Sequence, residues 1–147
     1  MPSKFTIIVP VYDEEENLER VEKELLAYLK IATLPTSILF VNDGSKDNSQ
    51  GFIEAICKRN ESFNYILFKE NRGLSAAIKA GFDTIETELI GYIDADLQTT
   101  PSDFNLLLEH IHDYDLVTGV RENRKDSFVK NISSAFNARN SSLNSSI

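Results

Sequence analysis

The chain has 147 residues, 41% of them hydrophobic and 26% charged, the length and balance of one soluble domain able to bury a core. Its net charge of −8 excludes a broad nucleic-acid surface, which needs a basic stripe, but leaves room for a phosphorylated ligand screened by a metal or a few local cations. A single cysteine, Cys57, excludes an internal disulfide framework and fits a reducing cytosol.

The pattern then alternates. "FTIIVPVY" (5–12) is a β-branched run and reads as a strand, and "EEENLERVEKELLAYLK" places Leu18, Val21, Leu25 and Leu29 on one helical face. "SILFVND" (37–43) reads as a second strand closed by a turn, after which Asp47 or Asn48 is suited to cap a helix carrying Phe52, Ile53, Ile56 and Cys57. That stripe predicts a core position for Cys57. "FNYILFK" (63–69) is a third strand, followed by Leu74, Ala77, Ile78, Gly81, Phe82 and Ile85 at helical spacing. "ELIGYID" (88–94) is a fourth strand, with a helix through Phe104, Leu107, Leu108 and Ile111 behind it, and "YDLVTGV" (114–120) is a fifth. Such alternation predicts crossover units and a mostly parallel sheet, an α/β fold.

Beyond the fifth strand the composition changes. Residues 131–147 contain ten Asn or Ser, too few apolar side chains for a stable element, and the expectation is a fraying tail or the start of something further. The tripeptides "NIS", "NSS" and "NES" match a glycosylation acceptor, and chance explains a pattern this short. "YDEEEN" directly behind the first apolar segment does not suit a secretory signal, and no apolar run approaches the ~20 residues of a membrane span.

Ligands of open parallel sheets bind outside the carboxyl ends of the strands. This sequence puts "PVYDEEEN", "NDGSKDNS", "KENRGLS", "DADLQTT" and "GVRENRK" at that edge, with carboxylates closing the first, second and fourth strands. GxGxxG, the phosphate loop GxxxxGK[ST], a Cys/His zinc spacing and GxSxG are all absent. Carboxylate chemistry remains. Asp94 and Asp96 lie two apart and would point the same way in a continuing extended chain. Oxygen ligands of this kind suit Mg²⁺ or Mn²⁺ completed by substrate phosphates, an arrangement that stabilises a diphosphate leaving group.

"VPVYDEEENL", "VNDGSKDNS", "NRGLSAAIKAG" and "GYIDADLQTTP" together resemble, in order and spacing, the inverting family 2 glycosyltransferases, over about residues 5–125. With Gln98 two places after the second Asp, the chain looks most like the dolichyl- and polyprenyl-phosphate branch. The resemblance implies a GT-A, Rossmann-like three-layer α/β/α sandwich and a UDP- or GDP-sugar donor. It implies nucleoside contacts at Pro10, Tyr12 and Glu14, base recognition by Asp43, and a turn over the nucleotide at Arg72 and Gly73. Asp94 and Asp96 match the metal and diphosphate carboxylates, Ala95 packs beside the nucleotide, and Gln98 completes the metal shell. Asp96 and Arg121, the latter meeting phosphate, are the expected catalytic pair; Lys125 and Arg139 align loosely with the acceptor-phosphate region. Many relatives carry Asp where this chain has Asn42.

Plainer readings stand beside these. Asp43 also suits an Asx turn with Gly44, Tyr12 also suits packing on the sheet edge, and Glu14, Glu15 and Glu16 suit a helix N-terminus. Arg121 also suits a surface ion pair. The resemblance implies transfer to a polyprenyl phosphate at the cytoplasmic face of a membrane, with peripheral association and pairing into a homodimer compatible with it. Transfer to a saccharide hydroxyl, or nucleotide-sugar binding without activity, are the alternatives. Residues 1–125 are expected to be the nucleotide-sugar-binding half and 126–147 the start of an acceptor region or a disordered tail. On that division the domain is truncated, and the chain alone is expected to bind donor with little or no transfer.

Overall fold

The computed structural model describes residues 2–118 and 135–138. Strands β1 (Phe5–Val11), β2 (Thr36–Asn42), β3 (Phe63–Leu67), β4 (Leu89–Tyr92), β5 (Leu116–Thr118) and β6 (Ala135–Ala138) form one sheet in the order β3-β2-β1-β4-β6-β5. Helices α1 (Leu18–Ile31), α2 (Ser49–Arg59), α3 (Leu74–Thr84) and α4 (Asp103–Glu109) fill the connections. The first four strands pair in parallel, as the alternating pattern predicts; β6 runs antiparallel to both β4 and β5.

β6 corrects the expectation that residues 131–147 hold no stable element. A strand lying between two others is hydrogen-bonded along both edges, so its backbone is satisfied by its neighbours whatever its own propensity.

Both faces of β1, β2 and β4 are covered, which is why these strands are apolar at nearly every position; Asn64, Tyr65 and Leu67 of the edge strand β3 are exposed. Phe5, Ile7, Val9 and Val11 pack under α1, α2 and α4 with Leu18, Val21, Leu25, Ile53, Phe104 and Leu108. The alternate residue Ile8, with Leu39, Val41 and Ile90, meets Ala77 of α3 and Ile85 just beyond it. Phe5 and Phe104 meet edge to face at 5.5 Å, a favoured aromatic geometry. The helical faces follow the predicted spacing with four departures. Leu29 and Cys57 are partly buried against the core, and burial pushes the Cys57 thiol up to about 11. Phe52 and Leu74 are exposed, the latter opening α3 at the ligand edge of the sheet.

α1 and α2 are joined by an ion pair between a buried Glu22 and a half-exposed Arg59. Glu22 is 9% exposed and accepts from Arg59 Nε at 2.7 Å and Asn60 Nδ2 at 3.0 Å, with a second Arg59 nitrogen on its other oxygen. The Arg59 bond holds the Glu22 carboxyl below its usual value.

Candidate functional site

At the carboxyl edge of the sheet, the segments after β1, β2 and β4 and the start of α3 enclose a cleft of about 440 Å³. Backbone bonds continue past the strand ends into this rim: Asp43 N–H donates to Val11 O, Phe68 N–H to Asn42 O and Ile93 N–H to Ile8 O.

The first two loops are locked together. Asp13, at φ 49°, accepts from the N–H groups of Lys46 (2.7 Å) and Asp47 (3.3 Å), and its own N–H donates to Ser45 Oγ. Glu14 N–H donates to Ser49 Oγ, Glu15 N–H to Asp47 Oδ2, and Asn48 N–H to Glu15 Oε2. α1 begins at Leu18, so the acidic run does not sit in its first turn; Glu15 serves the entrance of α2 instead. Asp47 accepts from Ser49 N–H at 2.9 Å, while Asn48 makes no side-chain cap bond. Glu14 accepts from Asn17 Nδ2 and lines the cleft with Pro10 and Tyr12, the last 40% exposed.

After β2, Asn42 and Asp43 are both buried, at 0% and 4% exposure. Asn42 supplies the turn acceptor that the sequence also allowed for Asp43: its Oδ1 takes the Ser45 N–H, and its Nδ2 donates to Gln50. Asp43 reaches across the rim instead. Its oxygens accept from the backbone of Arg72 at 2.7 Å and Gly73 at 3.0 Å. Gly44 makes that approach feasible, because at φ 70° a Cβ would lie 2.4 Å from the Glu70 carbonyl carbon. Gly73, at φ 94°, leads into α3. The Arg72 guanidinium lies 4.9 Å above the Phe68 ring.

After β4 the chain does not continue extended, which corrects the reading that Asp94 and Asp96 point the same way along a strand. β4 ends at Tyr92, and a turn closes with Leu97 N–H on Asp94 O at 3.1 Å. Leu97 takes φ 46° yet is 4% exposed, so burial of its side chain holds a left-handed backbone. Asp94 is half-buried, and its Oδ1 accepts the Tyr92 hydroxyl at 2.5 Å. Burial, then the Asp94 carboxylate, raises the Tyr92 phenol well above its ordinary value. Asp96 is exposed, its Oδ1 accepting from Gln98 N–H at 3.3 Å. From α1, the Arg20 guanidinium donates to the carbonyls of Asp96 (3.5 Å) and Leu97 (3.3 Å) while Nε holds Glu24.

The fold thus brings Pro10, Tyr12, Glu14, Asp43, Gly73, Asp94, Ala95 and Asp96 to one cleft. The Arg72 side chain and Gln98 are not among its lining residues. Arg121, Lys125 and Arg139 lie outside the described residues. Sequence reading missed Tyr92 and Arg20 as supports of the carboxylate turn, and Val11, Asn71, Leu74 and Ala77 as lining. For Tyr92 a signal existed: in the strand expected over 88–94, residues 92 and 94 would share a face.

Comparison with known proteins agrees with this architecture. An undecaprenyl-phosphate 4-deoxy-4-formamido-L-arabinose transferase from Yersinia enterocolitica is 37% identical over 133 residues, 89% of this chain and 41% of the relative. One of the same name from Sodalis glossinidius is 37% identical over 138 residues, 92% of this chain and 42% of its own. The chain therefore spans about two fifths of the length of these relatives. Among solved structures, a mannosyltransferase from Pyrobaculum calidifontis in complex with GDP-Man and Mn²⁺ superposes with TM-score 0.67 at 19% identity, covering 83% of this chain and 36% of that one. Glucosyl-3-phosphoglycerate synthase from Mycobacterium tuberculosis, in complex with Mn²⁺, UDP and glucosyl-3-phosphoglycerate, gives 0.63 at 14%, covering 79% and 43%. These likenesses show the GT-A, Rossmann-like fold. The sequence matches the glycosyl transferase family 2 domain over residues 6–144, from the second residue of β1 to beyond β6, and the chain belongs to that family.

Proposed function

We propose that the cleft binds the diphosphate of a nucleotide-sugar donor with Mg²⁺ or Mn²⁺, and that the chain's reaction is transfer of the sugar to a polyprenyl phosphate with inversion. The observation that carries the donor site is the charge of the cleft. Glu14, Asp43, Asp94 and Asp96 converge there, and no Lys, Arg or His is among the described lining residues. A diphosphate entering such a site needs a cation beside it. The donor set fits one: Mg²⁺ and Mn²⁺ are held by one or two carboxylates plus substrate phosphates rather than by an all-protein cage. Among the described residues, no group of three or more His, Cys, Asp or Glu gathers into such a cage. The neighbours in complex with Mn²⁺ and a nucleotide support the same reading.

In this reading Asp94 and Asp96 would hold the metal, with Gln98 joining its shell, and the bound metal would supply charge neutralisation for the departing diphosphate. Asp43 takes the base and Tyr12 stacks on it, with Pro10 and Glu14 shaping the nucleoside wall. The N-terminus of α3, at Gly73 and Leu74, adds a partial positive end toward the phosphates. A phosphate oxygen of the acceptor attacks the anomeric carbon from the face opposite the leaving group. The bond to the donor diphosphate breaks and its electron pair leaves with the nucleotide. That nucleophile is already ionised near neutrality, so positioning and charge neutralisation matter more than a general base. Arg121 is assigned to phosphate.

The acceptor class comes from the relatives' names. We assign the donor half to residues 1–125 and the start of the acceptor-facing part to 126–147, which contributes β6 to the same sheet. None of the described helices is long and apolar enough to cross a bilayer.

Calorimetric titration with GDP and UDP, with and without Mn²⁺, tests the reading. Mn²⁺ should tighten one nucleotide, and Asp96→Ala should abolish that gain; a mutant that keeps the gain would exclude Asp96 as a ligand.

A further inference from the structure

We infer that Tyr92 is a positioning residue for Asp94, fixing through its hydroxyl the direction in which that carboxylate meets the metal and diphosphate. This rests on the reading of Asp94 and Asp96 above. Tyr92 is the last residue of β4, 5% exposed and in register with Ile8 of β1, so its ring is held by the sheet. Its hydroxyl donates to Asp94 Oδ1 at 2.5 Å. Asp94 itself lies past the strand, at the start of the turn closed by Leu97 N–H. A rigid donor on Oδ1 favours one carboxylate orientation there.

Packing alone does not call for the hydroxyl. Phe would fill the same space, and a buried phenolic oxygen is costly unless bonded. Outer partners that orient a metal ligand typically contribute about 10–100-fold to metal affinity. Tyr92 has that relation to Asp94: it lies behind the carboxylate, and Asp94, not Tyr92, lines the cleft.

The test is Tyr92→Phe in the 147-residue chain, titrated with Mn²⁺ in the presence of GDP and, separately, UDP. Mn²⁺ affinity should fall roughly 10–100-fold, with metal-free nucleotide affinity and melting temperature unchanged. In an Asp94→Asn background, the same substitution should weaken residual Mn²⁺ affinity no further. Unchanged Mn²⁺ affinity in Tyr92→Phe overturns the inference, and so does an equal loss in both backgrounds, which would make the hydroxyl a support of the fold. Wild-type binding indifferent to Mn²⁺, or an Asp96→Ala mutant that retains the Mn²⁺ effect, removes the underlying reading and the inference with it. A Mn²⁺ effect lost in Asp96→Ala but intact in Tyr92→Phe removes the inference alone.

Discussion

The carboxylate of Asp43 accepts the backbone N–H of Arg72 at 2.7 Å, across 29 residues of sequence and between the loops that follow β2 and β3. It does so at 4% exposure, with the Gly73 N–H on its other oxygen. The residue assigned to the base therefore also holds the turn that leads into α3. Its two roles separate by ligand. Asp43→Ala should weaken binding of a nucleoside diphosphate by about 1.5–3 kcal/mol, the scale of a hydrogen bond to a charged group. Binding of Mn²⁺-pyrophosphate, which has no base, should fall less. Equal losses in parallel calorimetric titrations would show that Asp43 acts only by holding the turn.

Gly44 sets the distance over which that clamp works. Gly44→Ala would place a methyl carbon 2.4 Å from the Glu70 backbone at φ 70°. Two backbone segments must move apart, since no flexible side chain is there to yield. Alanine at a positive φ costs more than about 1 kcal/mol even without a clash. Urea denaturation of Gly44→Ala should show a loss beyond that of Gly73→Ala, whose Cβ meets nothing within 4 Å.

The extent to which this was legible in the sequence follows from what periodicity encodes. β1 through β4 came out within a few residues because apolar runs bounded by turn residues mark buried strands, and the candidate cleft followed from the rule for strand ends. Pro10, Tyr12, Glu14, Asp43, Gly73 and the Asp94–Asp96 pair do meet there. β6 was not legible, because its pairing with β4 and β5 is a long-range fact with no local pattern. The turn at Leu97 was hidden for a related reason, since a leucine at φ 46° is held by burial against its backbone preference. Contacts such as Asp13 to Lys46, Glu15 to Asn48 and Arg20 to Leu97 join separate loops and leave no signature in spacing.

Arg20 braces that turn from the side opposite Tyr92. Its guanidinium reaches the Asp96 and Leu97 carbonyls from a half-exposed position, so solvent screening limits what it contributes. Arg20→Gln should cost about 0.5–1 kcal/mol of stability. Metal-dependent nucleotide binding should weaken alongside, and Arg20→Lys should restore part of it. A full loss of the Mn²⁺ effect, or none at all, would contradict a brace of this modest strength.

Glu22 provides a pH test of the scaffold away from the cleft. Its carboxyl titrates below the usual value of 4.5 in the folded chain, first because Arg59 donates to it, with Asn60 adding to the effect and burial opposing it. A group with a depressed folded value binds protons more readily when unfolded, so stability rises with pH between the two values. The contribution of Glu22 is therefore complete above about pH 4.5, the unfolded value, and is lost as pH falls through the lower folded one. Arg59 stays charged throughout, and protonating Glu22 leaves it facing a neutral acid across the α1–α2 contact. Glu22→Gln removes the titration while keeping the shape. At pH 7 it should destabilise the chain, by an amount that solvent screening at the half-exposed Arg59 keeps small. Below about pH 4.5 the gap to wild type should close as wild type loses the same interaction. Melting curves across that range decide the matter: a gap constant with pH would mean that the Glu22–Arg59 pair contributes through packing and not through its charge.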